Sequence, residues 1–333
     1  MSDSSPRPVI SVVVATYNRS AQLSRLVEHL DGQEGVGAFE VVIVDDCSSD
    51  TTRERLTALV AQASFPIVPL RTARNSGPAA ARNLGWRASR APVVAFTDDD
   101  CRPDSKWLAR MTEALEQADI VQGPTLLDPD EAAGRGPFAR TQWVTSWSGQ
   151  FDCCNIGYRR EVLERCGGFE ERFRRAFGED TDLGWRAVER GATTAWEPEA
   201  VVRHGVETTG DRLRDWVVWV NDTRRRVYAP LIVRRHPGLR ATLHRRWFYK
   251  PHHPRTLLAL AGLAAVALKP GRGRRWLAAG ACALPWVQYR IVVNPRPARR
   301  RNLPVVLALT FVGDGTEVGV MLVGSARFRT LLL

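Results

Sequence analysis

Three adjacent carboxylates stand at the end of an apolar run, in the stretch "APVVAFTDDD" that covers residues 91–100. Asp98, Asp99 and Asp100 repel one another, and each carboxylate is costly to remove from water. Two interpretations compete: the triplet lies in a solvated loop that contains a helix N-cap, or it binds a positive partner. Mg²⁺ and Mn²⁺ are hard cations that prefer carboxylate oxygens, so the second interpretation predicts a divalent-cation site.

Short apolar, β-branched runs alternate with amphipathic helical patterns in the part of the chain that leads to and follows this triplet. Strands are predicted within 8–19, 39–50, 65–71 and 91–100, and helices within 20–32, 51–63, 77–89 and 105–118. This alternation is typical of right-handed βαβ units, so it predicts an α/β fold with a mostly parallel sheet flanked by helices. In such sheets ligands bind beyond the carboxyl ends of the strands. Those ends carry "ATYNR", "DDCSSD" and "TDDD", which we expect to meet in one crevice.

Past residue 123 the pattern weakens, and we predict a long loop over 123–150. A strand followed by a helix is predicted within 152–169, and another helix within 177–191. The latter begins with acidic residues, as the helix dipole favours. Short extended segments are predicted over 192–205.

The charge of the chain divides into two regions of opposite sign. Residues 1–210 carry 24 Lys and Arg against 31 Asp and Glu, a net charge of −7, whereas residues 211–333 carry 23 against 5, a net charge of +18. We therefore predict a catalytic domain over 8–210 and a basic helical region over 211–333. The basic region should favour an anionic partner.

The six cysteines include no CxxC pair, and the chain is too large for a disulfide scaffold, which predicts reduced thiols in the cytoplasm. The opening "MSDSSPRPVI" lacks the basic and apolar regions of a signal peptide, so export is not predicted.

Five motifs, in order, resemble those of family 2 glycosyltransferases with the GT-A fold: "SVVVATYNR", "VVIVDDCSSD", "NSGPAAARNLG", "FTDDDCRPD" and "GEDTDLGWR". The resemblance covers residues 9–205 and rests on all five motifs together, since a single acidic triplet is weak support. It implies a nucleotide-diphospho-sugar-binding sheet and transfer of a sugar to an acceptor hydroxyl, with inversion at the anomeric carbon. It also implies a divalent cation, Mn²⁺ or Mg²⁺, which would offset the charge of the departing diphosphate.

The resemblance also implies donor-side roles for individual residues. Asp98 is placed towards the ribose and sugar, Asp100 binds the metal, and Asp45 or Asp46 contacts the base. The start of the helix at 77–89 offers backbone N–H groups to an anion. Arg82 either contacts the donor or forms a structural salt bridge with the triplet. The full donor-binding set is Thr16, Tyr17, Arg19, Asp45, Asp46, Gly77, Arg82, Asp98 and Asp99.

On the acceptor side, "GEDTDLGWR" matches the family's acidic motif. An inverting transfer needs a base to take the acceptor's proton, and Asp180 is the matching candidate, with Glu179 beside it. The alternative is that both are ordinary first-turn helix acids. His204 is implied as a second metal ligand or, alternatively, is structural. Asn155 and Arg186 are predicted to touch the acceptor or the phosphates.

The basic region predicts membrane association. An amphipathic helix is predicted over 211–236, and the apolar run at 256–268 would span about 20 Å as a helix, against roughly 30 Å for a hydrocarbon core. The next run, 276–293, contains Pro285 and Arg290, so an in-plane or re-entrant hairpin is predicted. The alternative is that these runs and the apolar stretch 304–333 pack as a helical subdomain. The first interpretation predicts an anionic membrane surface on the cytoplasmic face and a lipid-linked acceptor.

Three other functions compete with this prediction. A nucleotidyltransferase would favour a Gly-rich phosphate loop with a Lys near the N-terminus, where this chain has "ATYNRSAQL". A nucleic-acid binder would combine Arg with aromatic stacking, but the apolar runs favour a membrane, so no nucleic-acid partner is predicted. A non-catalytic sugar-nucleotide or membrane-surface binding protein is the remaining alternative.

Overall fold

A computed structural model of the chain describes residues 7–132, 135–173, 177–268 and 273–333. The chain divides into two compact units, of which the first comprises Met1–Ala132 and Thr141–Gly205 and the second Ala133–Arg140 and Val206–Leu333. The second unit begins close to the predicted boundary at 210. It also includes a short segment of the predicted loop 123–150.

The strands of the first unit include those that the apolar runs predict and three short strands that they do not. They are β1 (Ile10–Thr16), β2 (Phe39–Asp45), β3 (Ile67–Arg71), β4 (Val93–Asp98), β5 (Cys101–Pro103), β6 (Ile120–Gln122), β7 (Thr125–Leu127), β8 (Asn155–Arg159), β9 (Thr194–Trp196) and β10 (Val202–His204). Seven of them form one sheet in the order β3-β2-β1-β4-β8-β6-β9. Within it only β8 runs antiparallel to its neighbours, so the predicted mostly parallel α/β sheet is confirmed.

The longer helices of this unit bury apolar side chains, whereas the four-residue helix Pro129–Ala132 buries none. The helices are α1 (Ser20–Asp31), α2 (Thr52–Gln62), α3 (Pro78–Ala88), α4 (Trp107–Leu115), α5 (Pro129–Ala132), α6 (Arg160–Cys166) and α7 (Glu179–Val188). In α1 the buried face contains Leu23, Leu26 and Leu30, as its spacing predicts. Helix α3 lies so close to β1 that a Cβ on Gly85 would fall 2.5 Å from Val13 Cγ1.

A second sheet of three short strands, in the order β5-β10-β7, stands beside the acidic triplet. Its register sets His204 of β10 opposite Cys101 of β5. The prediction of a structureless loop over 123–150 is therefore wrong in part, since β7 and α5 lie within it. A strand of three residues is too short for apolar periodicity to reveal.

The α-helices described in the second unit are α8 (Arg212–Thr223), α9 (Ala229–Arg235), α10 (His253–Leu268), α11 (Arg274–Gln288) and α12 (Leu303–Phe328). The single helix predicted over 211–236 is wrong, because a 3₁₀ turn, Arg224–Tyr228, separates α8 from α9. Pro230 explains the break. In a continuous helix it would lack the N–H that bonds to residue 226, and its ring would clash with that carbonyl.

Helices α10 and α11 pack so closely that a Cβ on Gly262 would lie 2.7 Å from Cys282 Cβ. The helical stretch Arg300–Phe328 is, among the described residues, the one segment long and apolar enough to cross a membrane by length and composition. It nevertheless carries two buried carboxylates, Asp314 and Glu317. Asp314 accepts a hydrogen bond from Arg290 Nε at 2.9 Å, so polar contacts hold α12 within its unit.

Candidate active site

The strand order brings three polar loops to one edge of the sheet. Strand β1 pairs with both β2 and β4, with Thr16 opposite Asp45 and Ala15 opposite Asp98. Thr16 is buried, whereas Tyr17, in the loop that follows β1, is 45% exposed. The polar ends of β1, β2 and β4 therefore lie side by side, as the sequence predicts.

Arg19 contacts two carboxylates of the acidic triplet. Its Nη1 lies 2.6 Å from Asp100 Oδ2 and 3.5 Å from Asp99 Oδ1. Burial raises the pKa of Asp99 to about 7, and the charge of Arg19 opposes this rise. A solvated loop would leave the carboxylates in water, so the low exposure of Asp99 and Asp100 beside Arg19 favours a charge-binding triplet.

Asp100 faces His204, because β5 and β10 pair directly after the triplet. His204 Nε2 lies 3.3 Å from Asp100 Oδ1, and its Nδ1 lies 2.8 Å from the carbonyl oxygen of Gly205. That carbonyl only accepts, so Nδ1 carries the proton, and in the neutral ring Nε2 presents a lone pair to the carboxylate. Two facing acceptors fit a shared divalent cation. Cys101 lies within reach, but a soft thiol suits Mg²⁺ and Mn²⁺ poorly, and this thiol donates to the carbonyl oxygen of Cys154.

The two carboxylates at the end of β2 hold neighbouring loops in place. Asp45 accepts a hydrogen bond from the Ser48 N–H at 2.8 Å and forms an ion pair with Arg71. Asp46 accepts one from the Gly77 N–H at 2.8 Å. Gly77 precedes α3 with a φ of 89°, a conformation that favours glycine. These contacts build the loops, and contact of Asp45, Asp46 or Gly77 with a donor stays a prediction.

Arg82 joins two parts of the predicted site that are distant in sequence. From α3 it donates to Asp98 Oδ1 at 2.9 Å and to Glu179 Oε1 at 3.0 Å. Asp98 ends β4, and Glu179 begins α7. The salt bridge left open by the sequence is therefore present, and it links the donor-side and acceptor-side motifs.

The acids at the start of α7 lie in a strongly negative environment. Burial raises the pKa of Glu179, while Arg82 opposes the rise. Burial also raises the pKa of Asp180 well above its usual range, and the negative charges of Glu179 and Asp152 add to this. A carboxyl with a raised pKa is a stronger base than an ordinary aspartate.

The two residues predicted to touch the acceptor or the phosphates make contacts within the fold. Asn155 is buried in the sheet, where its Nδ2 donates to Pro124 O at 2.8 Å and Ala200 O at 2.7 Å, and its Oδ1 accepts from Trp107 Nε1 at 2.8 Å. Its hydrogen-bonding capacity is thus used within the fold. Arg186 binds Asp182 at 2.8 Å and the carbonyls of residues 166 and 168, so it fastens α7 to the loop after α6.

Sequence reasoning missed three residues that shape the site. Asn18, with a φ of 55°, accepts a hydrogen bond from the Ser49 N–H at 2.8 Å and so ties the first loop to the second. Arg71 neutralises Asp45. Asp152 adds negative charge beside Asp180. The sequence could have indicated Asn18, because Asn in a loop after a strand often adopts the left-handed conformation. No local sequence pattern indicates Arg71 or Asp152.

A glycosyl transferase family 2 model matches residues 11–167. This segment is a family 2 glycosyltransferase domain. The pre-mycofactocin glycosyltransferase of Mycobacterium tuberculosis is 32% identical over 254 residues, which cover 70% of this chain and 49% of that protein. An uncharacterized glycosyltransferase of Nostoc sp. is 34% identical over 170 residues, which cover 47% of this chain and 52% of that protein. The chain spans about half the length of the curated relatives it matches.

Solved structures share the fold of this chain. A mannosyltransferase from Pyrobaculum calidifontis, in complex with GDP-Man and Mn²⁺, matches with a TM-score of 0.65 at 19% identity, covering 94% of this chain and 88% of that one. S. aureus TarS 1–349, in complex with UDP, matches with a TM-score of 0.52 at 17% identity, covering 96% and 91%. At these identities the likeness establishes the fold alone, and it confirms the predicted GT-A type.

Proposed function

We propose that the chain transfers a sugar, with inversion at the anomeric carbon, from a nucleotide-diphosphate sugar to an acceptor hydroxyl, assisted by a divalent cation. The observation that carries this proposal is the position of Arg82, which binds Asp98 and Glu179 together. One guanidinium thereby places the acidic strand end beside the acidic helix start. The likeness to a mannosyltransferase that holds GDP-Man and Mn²⁺ supports the donor class.

On the donor side, Asp100 and His204 are the residues that would hold Mn²⁺ or Mg²⁺. When bound, the cation would offset the charge that develops on the departing diphosphate. Arg19 adds a fixed positive charge to the same loop. The exposed ring of Tyr17 offers a flat face on which a nucleobase can stack.

Thermal unfolding with a panel of nucleotide sugars and Mn²⁺ tests the donor side. A donor present at 100 times its Kd stabilises the protein by about 2.7 kcal/mol. We expect at least one donor to raise the unfolding temperature of the wild type in a Mn²⁺-dependent way, and Asp100→Asn to lose that shift. His29→Gln, at an exposed position of α1, is the control that should keep it. A shift that survives both chelation and Asp100→Asn contradicts the cation assignment, and no shift with any donor contradicts the donor class.

On the acceptor side, Asp180 is the proposed base. It takes the proton of the acceptor hydroxyl as the hydroxyl oxygen attacks the anomeric carbon and the bond from that carbon to the diphosphate breaks. Glu179 is held by Arg82 and positions the start of α7. Asp180→Asn should lower kcat by a factor on the order of 10² while the donor Kd stays unchanged. A lost donor affinity with kcat preserved would instead assign Asp180 to the donor site.

The proposal extends to a lipid-linked acceptor reached from the inner face of the cell membrane. The second unit exposes apolar side chains on α11 and the π-helical turn that follows it, including Leu277 at 74% and Val292 at 71%. Exposed arginines stand nearby in sequence, at Arg274 and Arg300. Anionic lipid attracts such residues by about 1 kcal/mol each near its surface, and the apolar side chains add burial in the interface.

Vesicle flotation of the full chain tests this placement. We expect flotation with phosphatidylcholine vesicles that contain anionic lipid, stronger at low than at high salt. Combining Leu277→Glu and Val292→Glu should abolish flotation, whereas Trp143→Ser, which changes an exposed aromatic residue of the first unit, should not. Wild-type protein that stays at the bottom of the gradient with anionic vesicles at low salt contradicts the membrane proposal and leaves the donor assignments intact.

A further inference from the structure

Two imidazoles and a carboxylate are buried together in the second unit, apart from the residues assigned to glycosyl transfer. His252 and His253 stand at the start of α10, and Glu317 lies on α12. His253 is 0% and Glu317 1% exposed. Within the described ranges, neither ring nitrogen of His253 makes a hydrogen bond, and neither does His252 Nε2. Buried polar atoms are normally bonded, so unpaired imidazole nitrogens at this depth point to a ligand.

The spacing of these groups fits a metal ion. His253 Nε2 lies 3.4 Å from Glu317 Oε1, and His252 Nε2 lies 3.8 Å from Glu317 Oε2. One ligand atom from each residue lies within 4.8 Å of the others. Zinc binds nitrogen at about 2.0–2.1 Å, which places tetrahedral ligand atoms about 3.3 Å apart. The three groups therefore need little movement to bind one ion.

The surrounding charges select the kind of metal. Arg226 and Lys250 contact Glu317 Oε1 at 3.1 Å and 3.3 Å, and Arg290 binds Asp314 one turn earlier on α12. These cations disfavour a hard ion such as Mg²⁺, which is bound mainly by charge. They weigh less against a transition metal that bonds to nitrogen donors. The side chains of Arg226 and Lys250 are both partly exposed, so each can turn towards water when a metal takes Glu317.

We propose that His252, His253 and Glu317 bind one zinc ion, with a water in the fourth position, and that this ion fastens the start of α10 to α12. The ion has a structural role in the second unit. None of its ligands belongs to the proposed donor or acceptor site, so a test of the zinc proposal does not depend on glycosyl transfer.

Metal analysis in an Asp100→Asn background tests the proposal, because that substitution removes the cation ligand of the active site. The full chain, made without a histidine tag and desalted, should hold one equivalent of zinc per chain by mass spectrometry. His253→Gln and Glu317→Gln should each lose that equivalent, and His244→Gln, a histidine of the same unit outside the cluster, should keep it. Zinc in wild-type amounts in His253→Gln would overturn the proposal.

Cobalt substitution keeps the test decisive if the cluster variants fail to fold. Co²⁺ added to the Asp100→Asn protein, after removal of zinc, should give the intense visible absorption of a tetrahedral site, and an equivalent of Zn²⁺ should abolish it. The same zinc should raise the unfolding temperature, whereas Mg²⁺ should not. A protein that shows neither tetrahedral cobalt bands nor stabilisation by zinc has no such site.

Discussion

Replacing Arg82 by methionine perturbs the charge network at the centre of the candidate site. Methionine keeps much of the side-chain volume and removes the guanidinium. Arg82 and Glu179 are both buried, so the variant leaves a buried carboxylate without its counter-charge. Breaking a buried ion pair by removing one partner costs about 3–5 kcal/mol. Asp98, the other partner, is 31% exposed and can be solvated by water, so we assign most of the loss to Glu179.

This loss should depend on pH in a defined direction. Burial raises the pKa of Glu179, and Arg82 lowers it, so the pKa rises further in Arg82→Met. A carboxyl whose folded-state pKa exceeds its unfolded value contributes stability below the unfolded pKa, and this contribution disappears as pH rises through the folded pKa. The difference in the free energy of unfolding between wild type and variant should therefore be largest in weakly alkaline buffer and shrink in acidic buffer.

Urea-induced unfolding at both pH values measures this difference. Arg87→Met on the same helix is the matched control, because Arg87 is exposed, lies 3.8 Å from Glu171 and belongs to a surface pair that contributes about 0–1 kcal/mol. Adding Glu179→Gln to Arg82→Met should recover part of the loss, since a neutral amide needs no counter-charge. A loss in Arg82→Met as small as that of the control, or one that does not change with pH, would refute this reasoning.

Three further predictions concern the same unit. In Gly184→Ala a Cβ would lie 2.1 Å from Phe151 Cγ, so α7 must shift, and urea unfolding should show a loss of about 1–3 kcal/mol. Because the base must be deprotonated and the pKa of Asp180 is raised, kcat should rise with pH through an apparent pKa above the usual carboxylic range, and a flat wild-type profile contradicts this role. His204→Gln should weaken donor binding in Mn²⁺ but not in chelator, as measured by titration calorimetry; equal binding by both proteins in Mn²⁺ contradicts the ligand assignment.

The polar strand ends were predictable because the topology determines where they lie. Strands β1, β2 and β4 run parallel, so their carboxyl ends meet at one edge of the sheet whatever the details of packing. The pairing of Arg82 with Glu179 was not predictable, since 97 residues separate the two and no local pattern relates them. The same holds for Asp152, which reaches Asp180 through the antiparallel insertion of β8.

Two features of the structure could not be predicted from the local sequence, for one physical reason. An asparagine at the start of a strand has the same local sequence whether its amide faces a ligand or the core. For Asn155 the outcome depends on Trp107 and Ala200, which arrive from other elements of the fold. Likewise, the basic, amphipathic pattern over 211–236 has the spacing of a helix along its whole length. Only the position of Pro230 indicates that one helix cannot extend across it.

Electrostatics connects the proposed cation with the proposed base. Burial, together with neighbouring negative charge, raises the pKa of Asp99 and of Asp180, so the site already holds closely spaced carboxylates that are costly to ionise. A diphosphate donor would add further negative charge, so it requires positive charge beyond Arg19 and Arg82. The facing oxygen and nitrogen of Asp100 and His204 are suited to hold that charge on the donor side. Asp180 lies beside Glu179 and Asp152 on the acceptor side, where burial and the neighbouring negative charges keep it basic. The same group of buried carboxylates thus favours a cation at one end of the site and proton abstraction at the other.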